Sequence, residues 1–389
     1  MKQEALKLKY NISTWDKLKI NFWGIPKAGN TSIKKTLHVL SENPMPENIP
    51  VENWVHHIKY TNYIKPEEAL SNGYYNFAVL RDPIDRFISM YKDVQRRTRT
   101  FNIAQQNLPI DNLLKLIENK TDIERNIHFR TQTYFLREGV DCYNVNELSK
   151  LEKKLQTAIP RSNELKNSVK LSDTQIGRIS LIYKDDFELL KNGELQKKKV
   201  LLLASGLSSK EYMNYDYIKN GWTVVSVNNG WQVTDEWHYW VHAPDFKGDK
   251  PKKFLPHQRE VRKYSTALRQ YGGQRACGYS ITLNAGYWVL ANLRPDVIGF
   301  LGADMNYTPD ENGNTHIYGV GYDIKHNQGG IPDPDRMVNV YGKGNPNYLN
   351  DIYTRLSEKA NDQGCDVYNF SSVQDTRLPY EKSKPYDFD

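Results

Sequence analysis

The pattern that most restricts this chain is an apolar strand running directly into a small-residue turn and a helix, because it recurs. LKINFWGIP at 18–26 alternates in polarity and ends in Pro26; the loop KAGN follows, then TSIKKTLHVL, where Ile33, Leu37 and Leu40 recur at helical spacing behind Thr31 and Ser32. YYNFAVL at 74–80 runs into RDPIDRFISMYKDV, with Phe87, Ile88, Tyr91 and Val94 at the same period. From Val200, VLLLASGLSSKEYMNYDYIKNGWTVVSVNN reads as strand, loop, helix, strand. Strands that alternate with helices build parallel sheets covered on both faces, so the fold class is α/β.

A chain of 389 residues exceeds one ordinary core. The polar stretch KNGELQKKK interrupts the pattern, which puts a boundary near residue 195 and predicts domains 1–195 and 196–389. Within the first, 111–157 reads as mostly helical and SLIYKDDFELL at 180–190 as a strand passing into a short helix. Within the second, SITLNAGYWVLANL reads as a helix and PDVIGFLGAD as a buried strand with polar residues at its end. A long Gly/Asn/Asp/Pro-rich loop follows over 305–350, then a helix over 348–362 and the strand CDVYNF.

Charge narrows the partners. Lys and Arg outnumber Asp and Glu by 30 to 24 up to residue 196 and by 23 to 22 after it, so the basic excess sits in the first half. An excess that small and scattered is no nucleic-acid footprint, but it suits a pocket for a polyanionic small molecule. Cys142, Cys277 and Cys365 lie far apart and form no metal-ligand or disulfide spacing, so no metal is expected. No run approaches the ~18 apolar residues of a membrane span, and MKQEALKLKY lacks the apolar core of a signal peptide; a cytoplasmic protein is expected. Oligomeric state is not legible.

The loop Pro26, Lys27, Ala28, Gly29, Asn30, Thr31, Ser32 delivers backbone N–H groups and a helix N-terminus to an anion, with Gly29 allowing close approach and Lys27 adding charge. The nucleotide-kinase pattern GxxxxGK[ST] is absent, since the lysine precedes the glycine. In FAVLRDPIDRFISMY, Arg81 offers a bidentate, permanently charged phosphate contact and Ser89 a hydroxyl; Asp82 and Arg86 could instead form an ion pair and cap at the helix start.

PKAGNTS resembles the 5′-phosphosulfate loop of the sulfotransferases, and RDPIDRFISMY their 3′-phosphate loop. The resemblance spans about residues 18–190 and implies a P-loop-like parallel sheet flanked by helices. It also implies 3′-phosphoadenosine 5′-phosphosulfate as donor and a hydroxyl, of a saccharide, as acceptor. WVHHIKYTNY resembles the uronosyl 2-O-sulfotransferase branch, in which a histidine here is the catalytic base; position by position that is His57, with His56 and Glu52 as alternatives. HFRTQTYFL resembles the segment this branch places near donor and acceptor, and IYKDDFELL its closing segment. Lys27 would then be catalytic as well as donor-binding. Rival readings are a phosphotransferase using the same loop and a nonenzymatic binder of nucleotides or glycans.

In the second half, the LASGLSS loop, VNN, GYSITLNAGYWVLANLRPDVIGFLGADMNY, THIYG and VYNFSS resemble bacterial sialyltransferases and archaeal pterin diphosphokinase-like proteins. That implies a Rossmann-like domain for a nucleotide or nucleotide sugar, with candidate residues Ser205, Gly206, Asn228, Asn229, Ser280, Asp304 and His316. Ser205 stands where those sialyltransferases usually carry Asn.

Overall fold

The computed structural model describes residues 10–43, 54–96, 108–118, 120–122, 124–160, 169–244, 246, 248–278, 280–305, 308–320 and 348–389. The chain divides into two compact units, Met1–Gln196 and Lys197–Asp389.

The N-terminal unit contains β1 (Ile12–Trp15), β2 (Ile20–Trp23), α1 (Asn30–Leu40), β3 (Asn62–Ile64), α2 (Pro66–Ser71), β4 (Tyr75–Leu80), α3 (Pro83–Arg96), α4 (Ile110–Ile117), β5 (Asp141–Asn144), α5 (Ser149–Leu155), α6 (Asp173–Ile182) and α7 (Lys184–Asn192). Its sheet runs β3-β1-β2-β4-β5. The expected parallel sheet is therefore mixed: β2, β4 and β5 are parallel, whereas β1 pairs antiparallel with both β2 and β3. Side chains alternate across it as the strand period requires. Trp23, Ala78 and Leu80 pack with Ile25, Tyr134 and Phe135, while Phe22, Phe77 and Val79 pack with Ile33 and Leu37 of α1. Burial on both faces makes β2 and β4 central strands, and the two motif loops leave their ends. Two sequence expectations fail. The 111–157 stretch is broken by β5, and 180–190 holds no strand: α6 and α7 meet at Tyr183, and α6 opens with a Ser172/Gln175 capping box.

The C-terminal unit contains β6 (Lys199–Leu203), β7 (Trp222–Val227), β8 (Tyr239–Val241), β9 (Arg259–Val261), α8 (Ser265–Arg269), α9 (Ile281–Asn292), β10 (Val297–Leu301), α10 (Tyr348–Asn361) and β11 (Asp366–Asn369). All paired strands are parallel, in the order β11-β10-β6-β7-β8-β9. Where a helix was expected after β6, a 3-10 helix, Leu207–Asn214, stands instead. The chain steps outward from β6 through β9, then returns to the other side of β6 for β10. The order reverses between β6 and β10, where an open parallel sheet leaves a crevice at its C-terminal edge. Gly286 of α9 meets Leu202 and Leu356 at a distance that leaves little room for a side chain: an added Cβ would lie 2.7 Å from the nearest Leu356 methyl. Of the predicted loop over 305–350, residues 306–307 and 321–347 lie outside the described residues.

Candidate active site

After β2 the backbone makes a tight turn: Ala28 N–H donates to the Ile25 carbonyl at 3.2 Å, Lys27 takes φ 69° and Gly29 φ 74°. Left-handed backbone at a lysine costs about 1–2 kcal/mol, which contacts around it must offset. A Cβ on Gly29 would in addition approach a Val145 methyl at 3.4 Å. The turn leaves the N–H groups of Gly29, Asn30 and Thr31 without a partner among the described residues, at the N-terminus of a helix with no acidic residue in its first turn. Unpaired donors and the positive end of a helix dipole form an anion cradle.

Two arginines hold the loop. Buried Arg86 donates through Nε to the Pro26 carbonyl at 3.0 Å and through Nη2 to the carbonyls of Arg130 at 2.8 Å and His128 at 3.3 Å. Its other side faces Asp186 of α7 at 3.9 Å. Arg81, after β4, donates through Nη1 to the Lys27 carbonyl at 3.4 Å. Its guanidinium pKa is lowered by burial, with Asp85 and Asp82 opposing. The Arg81 backbone is gripped by the Gln132 amide, which accepts its N–H at 2.9 Å and donates to its carbonyl at 2.8 Å. Gln132 in turn hangs from Asp186, whose carboxylate accepts the backbone N–H groups of Gln132 at 2.7 and 2.9 Å and of Thr133 at 3.0 Å. Burial pushes Asp186 up to about 6, while Arg86 and the two amides pull it down. Burial lowers the Arg86 guanidinium pKa, with Asp186, Tyr183 and Asp122 opposing.

The predicted residues meet as follows. Pro26 to Ser32 form the cradle, with Arg81 beside it. On α3, Arg86, Ser89 and Asp93 share one face by their spacing of three and four. Arg86 touches the Pro26 carbonyl and Asp93 pairs with the Lys27 ammonium, and Ser89 lies between them in sequence on that side of the helix. The cap-and-pair alternative is half right: Asp82 accepts the Ile84 and Asp85 N–H groups, but Arg86 pairs with Asp186.

The two adjacent histidines sit differently. His56 places Nε2 3.0 Å from the Thr31 hydroxyl, at the lip of the cradle. His57 is exposed and its Nδ1 accepts the Lys59 N–H. The carbonyl of His56 accepts from the Tyr63 hydroxyl at 3.3 Å, and Tyr63 accepts from the fully buried Lys34 at 3.0 Å. Glu52 lies outside the described residues.

In the C-terminal unit, Ser205, Gly206, Asp304 and His316 converge at the β6/β10 crevice. Gly206 bridges His316, and its N–H donates to the Gly302 carbonyl at 2.7 Å; the Ser205 carbonyl accepts from Ile317 at 3.1 Å. Buried Asp304 accepts from the Ser208 N–H and hydroxyl and from the Ser371 hydroxyl. It thereby fills the helix start after β6, where a phosphate would sit in a dinucleotide site. Asn228, at φ 49°, spends its Oδ1 on the Ala243 N–H, whereas the buried Oδ1 of Asn229 has no partner. Ser280 is the N-cap of α9 and makes no side-chain cap bond. α9 packs over β6 and β7 and leads into β10, and a helix that returns the chain to the start of a parallel strand begins at the C-terminal edge of the sheet. The N–H groups of Ile281, Thr282 and Leu283 have no partner among the described residues, and Asn284, a turn further on, has an unpaired buried oxygen.

Residues 10–159 match the profile of the Sulfotransferase family. Carbohydrate sulfotransferase 10 of Xenopus laevis is 34% identical over 85 residues, 20% of this chain and 24% of that protein. The Pongo abelii protein of the same name is 42% identical over 92 residues, 21% and 25% of the two chains, and that of Danio rerio 35% over 89 residues, 21% and 24%. The chain thus spans about a quarter of the length of the curated relatives it matches. No solved structure matches the chain. Among the described residues, no helix is long and apolar enough to cross a membrane.

Proposed function

We propose, on the premise that residues 10–159 belong to the sulfotransferase family, that the N-terminal unit moves a sulfuryl group from 3′-phosphoadenosine 5′-phosphosulfate to a saccharide hydroxyl. The observation that carries the donor assignment is the joining of two anion-binding features: the unpaired N–H groups of Gly29 to Thr31 and the Arg81 guanidinium on the Lys27 carbonyl. One would hold the 5′-phosphate and the other, with Ser89, the 3′-phosphate. Lys27 would neutralise charge that grows on the bridging phosphate oxygen as the S–O bond breaks. His56 would take the proton of the attacking hydroxyl, the bond to sulfur forming as that to the phosphate breaks. His56 replaces His57 in this role because it is the histidine against Thr31.

Calorimetric titration of the full chain with adenosine 3′,5′-bisphosphate and with ATP tests the reading. The bisphosphate is expected to bind and ATP not to compete with it. Arg81→Ala should weaken the bisphosphate about 10- to 100-fold, the worth of a charge-assisted pair of ~1.5–3 kcal/mol. Binding of ATP alone would favour the phosphotransferase.

For the C-terminal unit a nucleotide, as in a nucleotide sugar, is proposed. What supports it is the α9 N-terminus, whose first three N–H groups have no partner among the described residues, and the buried, unpaired oxygens of Asn284 and of strand-end Asn229.

A further inference from the structure

We infer that Asp93 is a positioning residue of the anion loop: it holds the Lys27 ammonium while the loop is empty, and the donor's phosphate takes its place. The inference rests on the sulfotransferase reading. The Lys27 backbone is held on both sides. Its φ is left-handed, its carbonyl is held by Arg81, and the preceding carbonyl is held by Arg86. The side chain is the freer part, and its ammonium sits on the Asp93 carboxylate, with the side chains 21% and 16% exposed. A pair so shielded from water is not the screened surface kind, so its exchange for another anion has a measurable effect.

Asp93 is also placed for this. It lies two turns beyond Arg86 and one beyond Ser89 on the loop-facing side of α3, so the helix that would supply the phosphate-binding hydroxyl also supplies the competing carboxylate. The other cation follows the same plan, since Arg81 lies in the field of Asp82 and Asp85 at the start of α3. A doubly phosphorylated product held by uncontested cations would leave slowly. With Asp93 at hand, Lys27 exchanges the departing phosphate for a carboxylate and is never left as a lone charge in a half-buried loop.

The test measures adenosine 3′,5′-bisphosphate affinity and dissociation rate for full-length wild type, Asp93→Asn, Lys27→Met and the double variant. Without its competitor, Lys27 should bind the product at least about tenfold more tightly in Asp93→Asn, mostly through slower dissociation. The gain should vanish in the Lys27→Met background. A folded Asp93→Asn whose affinity is unchanged or weaker overturns the inference, because a purely structural aspartate can only weaken the site. If Asp93→Asn does not fold, Asp93→Ser takes its place. Should wild type bind no bisphosphate, the sulfotransferase reading fails, and the inference is then judged on Lys27 itself. Reductive methylation followed by peptide mass spectrometry should label Lys27 faster in Asp93→Asn than in wild type, and equal rates overturn the pairing.

Discussion

Replacing Arg86 by Met keeps most of the side-chain volume and removes only the guanidinium. Three carbonyls lose their donor, those of Pro26, His128 and Arg130, and Asp186 loses the cation 3.9 Å away. Stripping one partner from a buried pair costs about 3–5 kcal/mol, and each orphaned carbonyl about 1–3 kcal/mol more, though relaxation and shared partners prevent simple addition. A loss of at least ~3 kcal/mol at neutral pH is expected, which for a unit of this size lowers Tm by roughly 6–12 °C. The loss should depend on pH. Below about pH 4 the Asp186 carboxyl is protonated whether folded or not. As pH rises from there to about 6, the folded protein keeps a proton the unfolded chain has released, so stability falls through that window. Without Arg86 the buried anion is costlier still, so the Arg86→Met deficit should be smaller near pH 5 than near about pH 7.5. Adding Asp186→Asn to Arg86→Met should recover part of it at the higher pH. Calorimetric scans of the full-length variants measure all of this. A deficit below about 1 kcal/mol, or a double variant that merely sums the singles, would refute the clamp.

The remaining predictions concern the two candidate sites. His56→Ala should cut turnover about 10²- to 10⁴-fold with bisphosphate affinity nearly intact, while His57→Ala leaves both near wild type; single-turnover and titration experiments separate them, and the reverse pattern would restore His57. In the C-terminal unit, titration of the full chain with cytidine and uridine nucleotides should find a ligand that Asn229→Ala and Asn284→Ala weaken, and heat from none of them would remove the nucleotide proposal.

What the sequence disclosed and what it hid follow from the range of the interactions. β2, β4, α1 and α3 announce themselves because two-sided burial writes apolar residues at regular spacing. β3 and β5 lie at the sheet edges with residues part-exposed, so little apolar periodicity accumulates in them. The turn into α6 did carry a signal, Ser172 followed three residues on by Gln175, but the apolar run SLIY outweighed it. The phosphate-loop residues are local and legible as a group. Which of two adjacent histidines meets Thr31 is decided by Tyr63 and Lys34 elsewhere in the fold, and no spacing rule reports that. The segments that hold Arg86, Gln132 and Asp186 stood out in the sequence, but the clamp these three build did not, for the same reason: its contacts span 42 to 60 residues.

The aspartate after β10 carries its own implication. Inorganic phosphate is abundant in most solutions a protein meets, and an open helix start beside a glycine turn is a ready trap for it. In the C-terminal unit Asp304 occupies that position, joined to Ser208 and Ser371. Ser208 is thereby committed to a carboxylate of the unit's own at the turn after β6. That joint serves as a rivet between the ends of β6, β10 and β11.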